Sequence, residues 1–189
     1  TEELLPFFSE KALIRYRIMI EIEYLIALSE EKSFSGLSKF TKKQKTDYRK
    51  IYLNFNTASA NKVKKIEQKT NHDVKAIEYY IRDKVNKSIH PWIHFALTSE
   101  DVNNLSYTLM WKDALDKIFL PQLRSLLKEL RVLSNKYANS AMLSLTHGQP
   151  ATPTTFGKEI HVFVKRIERQ LKGIGCLLYT SDAADEEDS

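Results

Sequence analysis

Apolar residues recur at helical spacing in the first strongly hydrophobic stretch of the chain, residues 9–28. The positions at this spacing are Ile14, Ile18, Ile22, Leu25 and Ile26. The alternation of apolar residues between Ile18 and Tyr24 would also suit a strand, because successive strand residues point to opposite faces. Strands usually run for about 5–6 residues, whereas this stretch is about 20 residues long. The pattern therefore predicts a long helix.

Helical spacing returns in several later stretches, and loops or prolines separate them. Their apolar positions are Tyr48, Ile51, Tyr52 and Phe55; Val74, Ile77, Ile81 and Val85; Leu105, Leu109 and Leu115; Leu123, Leu126, Leu127, Leu130 and Leu133; and Ile160, Phe163, Val164, Ile167, Leu171 and Ile174. Residues 33–36 predict a loop, and Pro121 marks a helix end or a kink. The 189 residues include only five glycines and five prolines, which favours long helices over a β structure with many turns. The sequence therefore predicts an all-α protein.

Composition limits the environment of the protein. No run of about 18 apolar residues occurs, so no membrane span is predicted. The single cysteine, Cys176, excludes an internal disulfide and fits a reducing compartment such as the cytoplasm. The chain starts at Thr1 with neither a basic leader nor an apolar signal core, and we expect the natural N-terminus to lie upstream.

The formal net charge of +5 conceals an uneven distribution. Residues 176–189 hold five of the 24 acidic residues and no Lys or Arg, so the remainder carries 29 basic against 19 acidic residues. A basic excess suits an anionic small molecule as well as a nucleic acid, but no nucleic-acid-binding motif accompanies it. Helical periodicity and basic character both stop at Cys176. We interpret residues 176–189 as a foreign or disordered acidic tail.

Residues 145–155 combine an imidazole, an amide and several hydroxyls in a stretch with almost no apolar residues. Gly148 permits backbone geometry closed to other residues, while Pro150 and Pro153 fix φ. An amphipathic pattern follows, so we predict a rigid polar loop that leads into a helix. His147 in such a loop is either a proton donor beside an anionic ligand or an ordinary surface residue, and the segment alone leaves both open.

Two further polar segments precede predicted helices. Thr70 and Asp73 are spaced like a capping box, which would place His72 in a first helical turn, where free N–H groups favour an anion. The alternative is that this turn is merely a polar cap. Downstream, Thr98 or Ser99 caps the next helix, whose acidic first-turn residues need no catalytic role. The histidines lack the spacing of a zinc hydrolase, so no metal site is predicted.

Three separated segments together resemble the adenylosuccinate lyase family of the fumarase/aspartase superfamily. They are Thr70-Asn71-His72-Asp73-Val74-Lys75-Ala76, His94-Phe95-Ala96-Leu97-Thr98-Ser99-Glu100-Asp101-Val102-Asn103-Asn104 and Thr146-His147-Gly148-Gln149-Pro150-Ala151-Thr152-Pro153. Each motif alone is moderately specific, but their order and spacing strengthen the match, which covers residues from about 10 to 175. Fumarase and argininosuccinate lyase also carry a Thr-His segment; the continuation over residues 148–153 favours adenylosuccinate lyase.

The resemblance implies a reaction and candidate roles. The family eliminates fumarate from adenylosuccinate to give AMP, and it also splits the succinyl-aminoimidazole-carboxamide ribotide of the purine pathway. By this analogy His147 is the general acid that protonates the leaving nitrogen. The substrate-binding residues implied are Asn71, His72, Asp73, His94, Thr98, Ser99 and Gln149. Of these, His94 would lie near the phosphate and Gln149 near a carboxylate. No cofactor is implied.

The resemblance also implies an architecture and a truncation. Residues 1–110 would form an amino-terminal helical domain, and residues 111–175 the start of a long-helix central bundle. The family's serine base, on a loop reading roughly Ser-Ser-x-Met-Pro-x-Lys-x-Asn, has no counterpart here. The family's Arg-Tyr pair near the N-terminus also lacks its usual context. We therefore expect an amino-terminal fragment, inactive alone, of a cytoplasmic homotetramer with shared active sites. Its ligand would be an anionic nucleotide, with no nucleic-acid or membrane partner.

Two alternatives stay open. The first is another lyase of the superfamily that releases fumarate from a different substrate. The second is a non-catalytic helical module that binds nucleotides or RNA through its basic surface, with affinity that falls steeply as salt rises.

Overall fold

The computed structural model describes the backbone of residues 1–183 and the side chains of residues 1–176. Helices dominate this part of the chain, and a single antiparallel pair of strands accompanies them. The predicted helical class is therefore confirmed, with the hairpin as an addition that the sequence analysis did not foresee. The chain divides into two compact units, the first being Thr1–Ala114 and the second beginning at Leu115.

The first unit is built entirely from helices. They are α1 (Leu5–Phe8), α2 (Glu10–Glu30), α3 (Lys42–Leu53), α4 (Thr57–Thr70), α5 (Asp73–Arg82) and α6 (Ser99–Ala114), with 3-10 turns at Glu2–Leu4 and Lys87–Trp92. The hydroxyl of Ser9 accepts a hydrogen bond from the backbone N–H of Ala12 at 3.1 Å and so caps α2.

Helix α2 lies at the centre of the first unit, where it contacts α3, α4, α5 and α6. Because neighbours surround it, side chains on most of its faces are buried. These side chains are Ala12, Ile14, Tyr16, Arg17, Ile18, Glu21, Ile22, Leu25, Ile26 and Ser29. Burial all round a helix blurs its 3.6-residue periodicity, which explains why the same stretch also showed strand-like alternation. The predicted long helix is confirmed.

The second unit consists of two long helices joined by the hairpin. Its elements are a π-helical turn (Leu115–Phe119), α7 (Leu120–Lys136), β1 (Ala141–Thr146), β2 (Gln149–Thr155) and α8 (Phe156–Ala183). Pro121 lies in the first turn of α7, directly after the π-helical turn, and its fixed φ suits a helical position. The ion pair of Arg131 with Glu168 at 2.7 Å and the hydrogen bond from Ser134 Oγ to the Gly157 carbonyl at 2.9 Å show that α7 and α8 run antiparallel.

Gly157 allows the start of α8 to lie directly against the end of α7. A Cβ atom at this position would lie 2.3 Å from the carbonyl oxygen of Ser134 and 2.7 Å from the Cα of Ala138. Both are backbone atoms, so they cannot move aside as a flexible side chain would. Glycine is thus required by packing at this position.

Helix α8 extends to Ala183, so the backbone of residues 176–183 is helical. The remainder of the acidic tail interpreted from the sequence, residues 184–189, lies outside the described residues. Within the described part of the chain, no helix combines the length and the hydrophobicity needed to cross a membrane.

Candidate functional site

Left-handed backbone geometry marks the three segments that the sequence analysis singled out. Among the described residues, the non-glycine residues with positive φ are Asn71, His94, Ala96 and His147, at 51°, 61°, 58° and 50°. This conformation costs an L-residue about 1–2 kcal/mol. It persists where surrounding structure imposes it, often at functional sites. Positive backbone φ thus occurs in the same three segments as the sequence motifs, and it is an observation independent of them.

The first segment connects α4 to α5 through a left-handed residue. Asn71 ends α4 in the left-handed region, which asparagine tolerates better than most residues. His72 then caps α5, because its Nδ1 accepts the backbone N–H of Lys75 at 3.2 Å. The predicted capping box from Thr70 to Asp73 is therefore wrong. Thr70 is the last residue of α4, and its hydroxyl donates to the His72 carbonyl at 3.1 Å.

Some of the backbone N–H groups at the start of α5, where an anion was considered from the sequence, already donate to side chains of the protein. The carboxylate of Asp73 accepts the N–H of Val74 at 2.8 Å, and the His72 ring accepts that of Lys75. Since Nδ1 of His72 is an acceptor, the neutral ring carries its proton on Nε2. The exposed ring borders an open cavity of about 510 Å³, so Nε2 can donate to a ligand. The cavity is lined by Lys64, Glu67, Gln68, Asn71, His72 and Asp73.

Arg17 of α2 ties the start of α5 to α6. Its Nη2 lies 2.8 Å from Oδ2 of Asp73, and its Nε donates to Oδ1 of Asn103 at 2.9 Å. The arginine is only 6% exposed. The pKa of Asp73 lies below its ordinary value: burial raises it, but the N–H of Val74 and the charge of Arg17 outweigh that effect. This arginine therefore fixes the first motif segment relative to the second.

His94 is held by a second buried charge on α2. Its Nδ1 lies 2.6 Å from Oε1 of Glu21, whose side chain is fully buried. The hydrogen bond to Glu21 raises the pKa of His94 above its ordinary value, and burial of the ring opposes the rise only in part. The hydroxyl of Tyr24 also donates to the carbonyl of Phe95 at 3.0 Å. Helix α2 thus fixes both the ring and the backbone of this loop.

At the start of α6, Thr98 and Asp101 are hydrogen-bonded to each other. Helix α6 begins at Ser99, and the N–H and hydroxyl of Thr98 both donate to Oδ2 of Asp101, at 2.7 and 2.8 Å. The N–H of Thr98 is the main cause of the lowered pKa of Asp101. Asp101 is thereby explained as a cap, as the sequence analysis allowed. The Thr98 groups that the resemblance assigns to substrate are engaged with Asp101 in this structure.

The third segment forms a hairpin and not an irregular loop. His147 and Gly148, with φ of 50° and 75°, form a two-residue turn closed by the pairing of Thr146 with Gln149. Positive φ at both positions is the geometry whose twist suits a two-residue hairpin. The expectation of a polar loop leading straight into a helix is wrong, because β2 intervenes before α8. His147 and Gln149 are exposed, and no side chain described in the second unit hydrogen-bonds to the His147 ring.

The structure thus organises the candidates in two groups. In the first unit, α2 links Asp73 and His94 through Arg17 and Glu21, while His147 and Gln149 belong to the second unit. Neither Arg17 nor Glu21 was among the site residues predicted from the sequence. Their signal was a charged pair four residues apart inside an apolar helix, where unpaired charges are rarely buried. No group of three or more potential metal ligands occurs among the described side chains.

Solved structures share this arrangement of helices. A fumarate lyase from Mesorhizobium superposes with a TM-score of 0.75 at 16% identity, over 94% of this chain and 41% of that one. A β-carboxy-cis,cis-muconate cycloisomerase from Acinetobacter calcoaceticus superposes with a TM-score of 0.74 at 17% identity, over 94% of this chain and 40% of that one. At such identities the likeness defines the class of fold and no more.

The sequence identifies the family. The family model described as lyase matches residues 1–180, and the chain belongs to this lyase family. It is 44% identical over 174 residues to the adenylosuccinate lyase of Legionella pneumophila, covering 89% of this chain and 38% of that protein. It is 43% identical over 178 residues to the adenylosuccinate lyase of Dictyostelium discoideum, with the same coverage. The chain therefore spans little more than a third of the length of these relatives.

Proposed function

We propose that the whole protein containing this chain is an adenylosuccinate lyase. It would eliminate fumarate from adenylosuccinate to leave AMP, and from the succinyl-aminoimidazole-carboxamide ribotide in purine nucleotide biosynthesis. The observation that carries the proposal is the coincidence of the three motif segments with the strained, non-glycine backbone positions Asn71, His94, Ala96 and His147. The similarity to adenylosuccinate lyases, at 43–44% identity, supports the choice of substrate.

The elimination needs one base and one acid. A base removes the proton from the carbon next to a substrate carboxylate, and the electrons left there form the double bond of fumarate as the C–N bond breaks. The pair from the C–N bond passes to the nitrogen, which takes a proton from His147. An exposed position on a two-residue turn leaves both ring nitrogens accessible. Gln149, at the first position of β2, would hold a substrate carboxylate through its amide.

The remaining candidates would bind the nucleotide. Asn71, His72 and Asp73 border the open cavity described above, and the Nε2 atom of His72 is free to donate there. Asp73, already paired with Arg17, would serve mainly to hold this turn in place. His94 would bind the phosphate. Ser99, with Thr98 before it, would contact substrate at the start of α6.

The whole protein would supply what this chain lacks. We assign the base to a serine in the part of the protein outside this chain. We further propose a cytoplasmic homotetramer whose subunits share active sites, so that this chain alone is inactive. Residues 1–110 and 111–175 would then belong to its amino-terminal domain and its central bundle.

Substitution of the general acid in the complete parent protein tests the proposal. His147→Ala should lower kcat for adenylosuccinate by about 10²–10⁴-fold, the usual contribution of general acid–base catalysis. His161→Ala, in the same unit, removes a ring that contacts Ser134 and should leave kcat nearly unchanged. Unchanged turnover in His147→Ala would refute the role. Preferential cleavage of argininosuccinate or malate would instead identify another lyase of the superfamily.

A further inference from the structure

A carboxylate occupies the interior of the first unit. Glu21 lies on α2 and is only 1% exposed. One of its oxygens, Oε1, contacts Nδ1 of His94 at 2.6 Å. The other, Oε2, has no hydrogen-bond partner among the described residues. The carboxylate is thus buried with one of its two oxygens unpaired among the described residues.

Stability does not account for this arrangement. Replacing a buried ion pair by apolar side chains is often neutral or stabilising, because desolvation offsets the attraction between the charges. The histidine also holds a left-handed backbone, with φ of 61°, at a further cost. An apolar pair at these positions would avoid the desolvation cost, and glycine or asparagine at position 94 would reduce the backbone cost. A role beyond packing is therefore the better explanation.

The contact with Glu21 determines which part of the His94 ring can meet a ligand. Because Nδ1 faces the carboxylate, Nε2 is the ring nitrogen that remains available. The ring is 16% exposed, so it can be reached from solvent. The bond from Tyr24 to the Phe95 carbonyl, at 3.0 Å, restrains the adjoining backbone. The ring is thereby fixed at its Nδ1 edge, and Nε2, which carries a proton when the ring is charged, lies at the other edge.

The charged groups around His94 come from three helices. Glu21 lies on α2, Glu78 and Lys75 on α5, and Asp101 on α6. Glu78 pairs with Lys75 at 2.8 Å, and Asp101 accepts from Thr98. Among the described residues, Glu21 is paired with His94 and with no other side chain. Its negative charge favours the protonated ring.

We propose that Glu21 is a positioning residue that holds His94 as a fixed cation, with its Nε2–H directed to a phosphate group of the substrate. The proposal rests on the proposed function. A carboxylate behind a histidine fixes the tautomer and the orientation of the ring in many sites. Here the carboxylate would also supply the charge that makes the histidine a donor to an anion near neutral pH.

The test uses histidine NMR on the 189-residue chain, with Glu21→Gln as the variant and Glu23→Gln as the matched control. Glutamine keeps the shape of Glu21 and can still accept from Nδ1, but it removes the charge. Glu23 lies on the same helix and binds Arg49 and Tyr52, away from His94. The pH titration of His94 is followed without ligand, and inorganic phosphate is then added as the probe.

The pKa of His94 should exceed the ordinary value of about 6.5 in the unmodified chain and fall in Glu21→Gln alone. Phosphate affinity, read from the His94 signals, should fall by roughly tenfold or more, as expected for loss of a charged hydrogen-bond donor. An unchanged titration would overturn the positioning role. A lowered pKa with unchanged phosphate binding, or no phosphate response in the unmodified chain, would overturn the ligand assignment. The ligand-free titration does not depend on the reaction catalysed, so its failure is distinct from failure of the proposed function.

Discussion

Replacing Arg17 by methionine should loosen the link between the two motif segments of the first unit. Methionine keeps most of the apolar stem but removes the guanidinium. Asp73 then loses its partner at 2.8 Å, and Asn103 loses a donor at 2.9 Å. Arg17 would then no longer join the first turn of α5 to the side of α6.

The size of the effect follows from the exposure of each partner. A hydrogen bond from a charged donor contributes about 1.5–3 kcal/mol, and the bond to Asn103 is assigned the lower end. The Asp73 side chain is 47% exposed, so water compensates most of its loss and the ion pair contributes less than about 1 kcal/mol. The expected loss is about 2 kcal/mol in the free energy of unfolding. For a chain of this size it lowers Tm by about 4–8 °C.

Urea and thermal unfolding followed by circular dichroism measure this loss. Arg15→Met is the matched control, since the Arg15 guanidinium lies over the Tyr16 ring at 4.3 Å and should contribute only about 0.5–1 kcal/mol. The lowered pKa of Asp73 means that its stabilisation is present above about 3.9 and is lost as pH falls. The difference between Arg17→Met and the unmodified chain should therefore shrink in acid. Equal stability of Arg17→Met and Arg15→Met would refute the proposed link.

Three further predictions concern other parts of the chain. Gly157→Ala should destabilise the second unit by about 1–3 kcal/mol in urea unfolding, because the new methyl group meets the Ser134 carbonyl; an unchanged midpoint would contradict the packing argument. The pair of His94 with Glu21 stabilises the fold fully below about 6.5, and this contribution is lost as pH rises through the raised pKa of His94. Unfolding at several pH values should show that loss, and Glu21→Gln should abolish it. His147→Asn should stabilise the hairpin by up to about 1 kcal/mol, because asparagine tolerates positive φ better; a lower Tm would show that the histidine ring contributes contacts of its own.

Most of the helices were predictable because their cause is local, although α4 was not predicted. Periodic burial and capping residues lie within one stretch of chain, so apolar spacing located α3, α5 and α8. Even α2 was identified, although its burial on most faces blurred the period. The hairpin was not predicted, because two prolines and several threonines in residues 149–155 read as a loop when considered alone. Its strands form only because they pair with each other.

The contacts of the candidate site were beyond the reach of sequence patterns. Arg17 lies 86 residues from Asn103 in sequence, and Glu21 lies 73 from His94. No local rule connects positions so distant in sequence. The motifs contained Asn103 and His94, but not Arg17 and Glu21, which bind them. The same limit applied to His72: capping rules favour Thr70, whereas the left-handed Asn71 ends one helix and lets the histidine ring begin the next.

The left-handed residues show how function and stability diverge in this chain. If folding alone set the choice of residue, glycine or asparagine would be favoured wherever φ is positive, and at Gly148 and Asn71 they are found. At His94 and His147 an imidazole takes such a position and bears its cost. Each backbone kink presents the ring in a direction that ordinary helix or strand geometry would not allow. The two histidines are also those assigned to phosphate binding and to proton donation. The positive φ at each histidine is thus a cost in stability, of the kind that persists at functional sites.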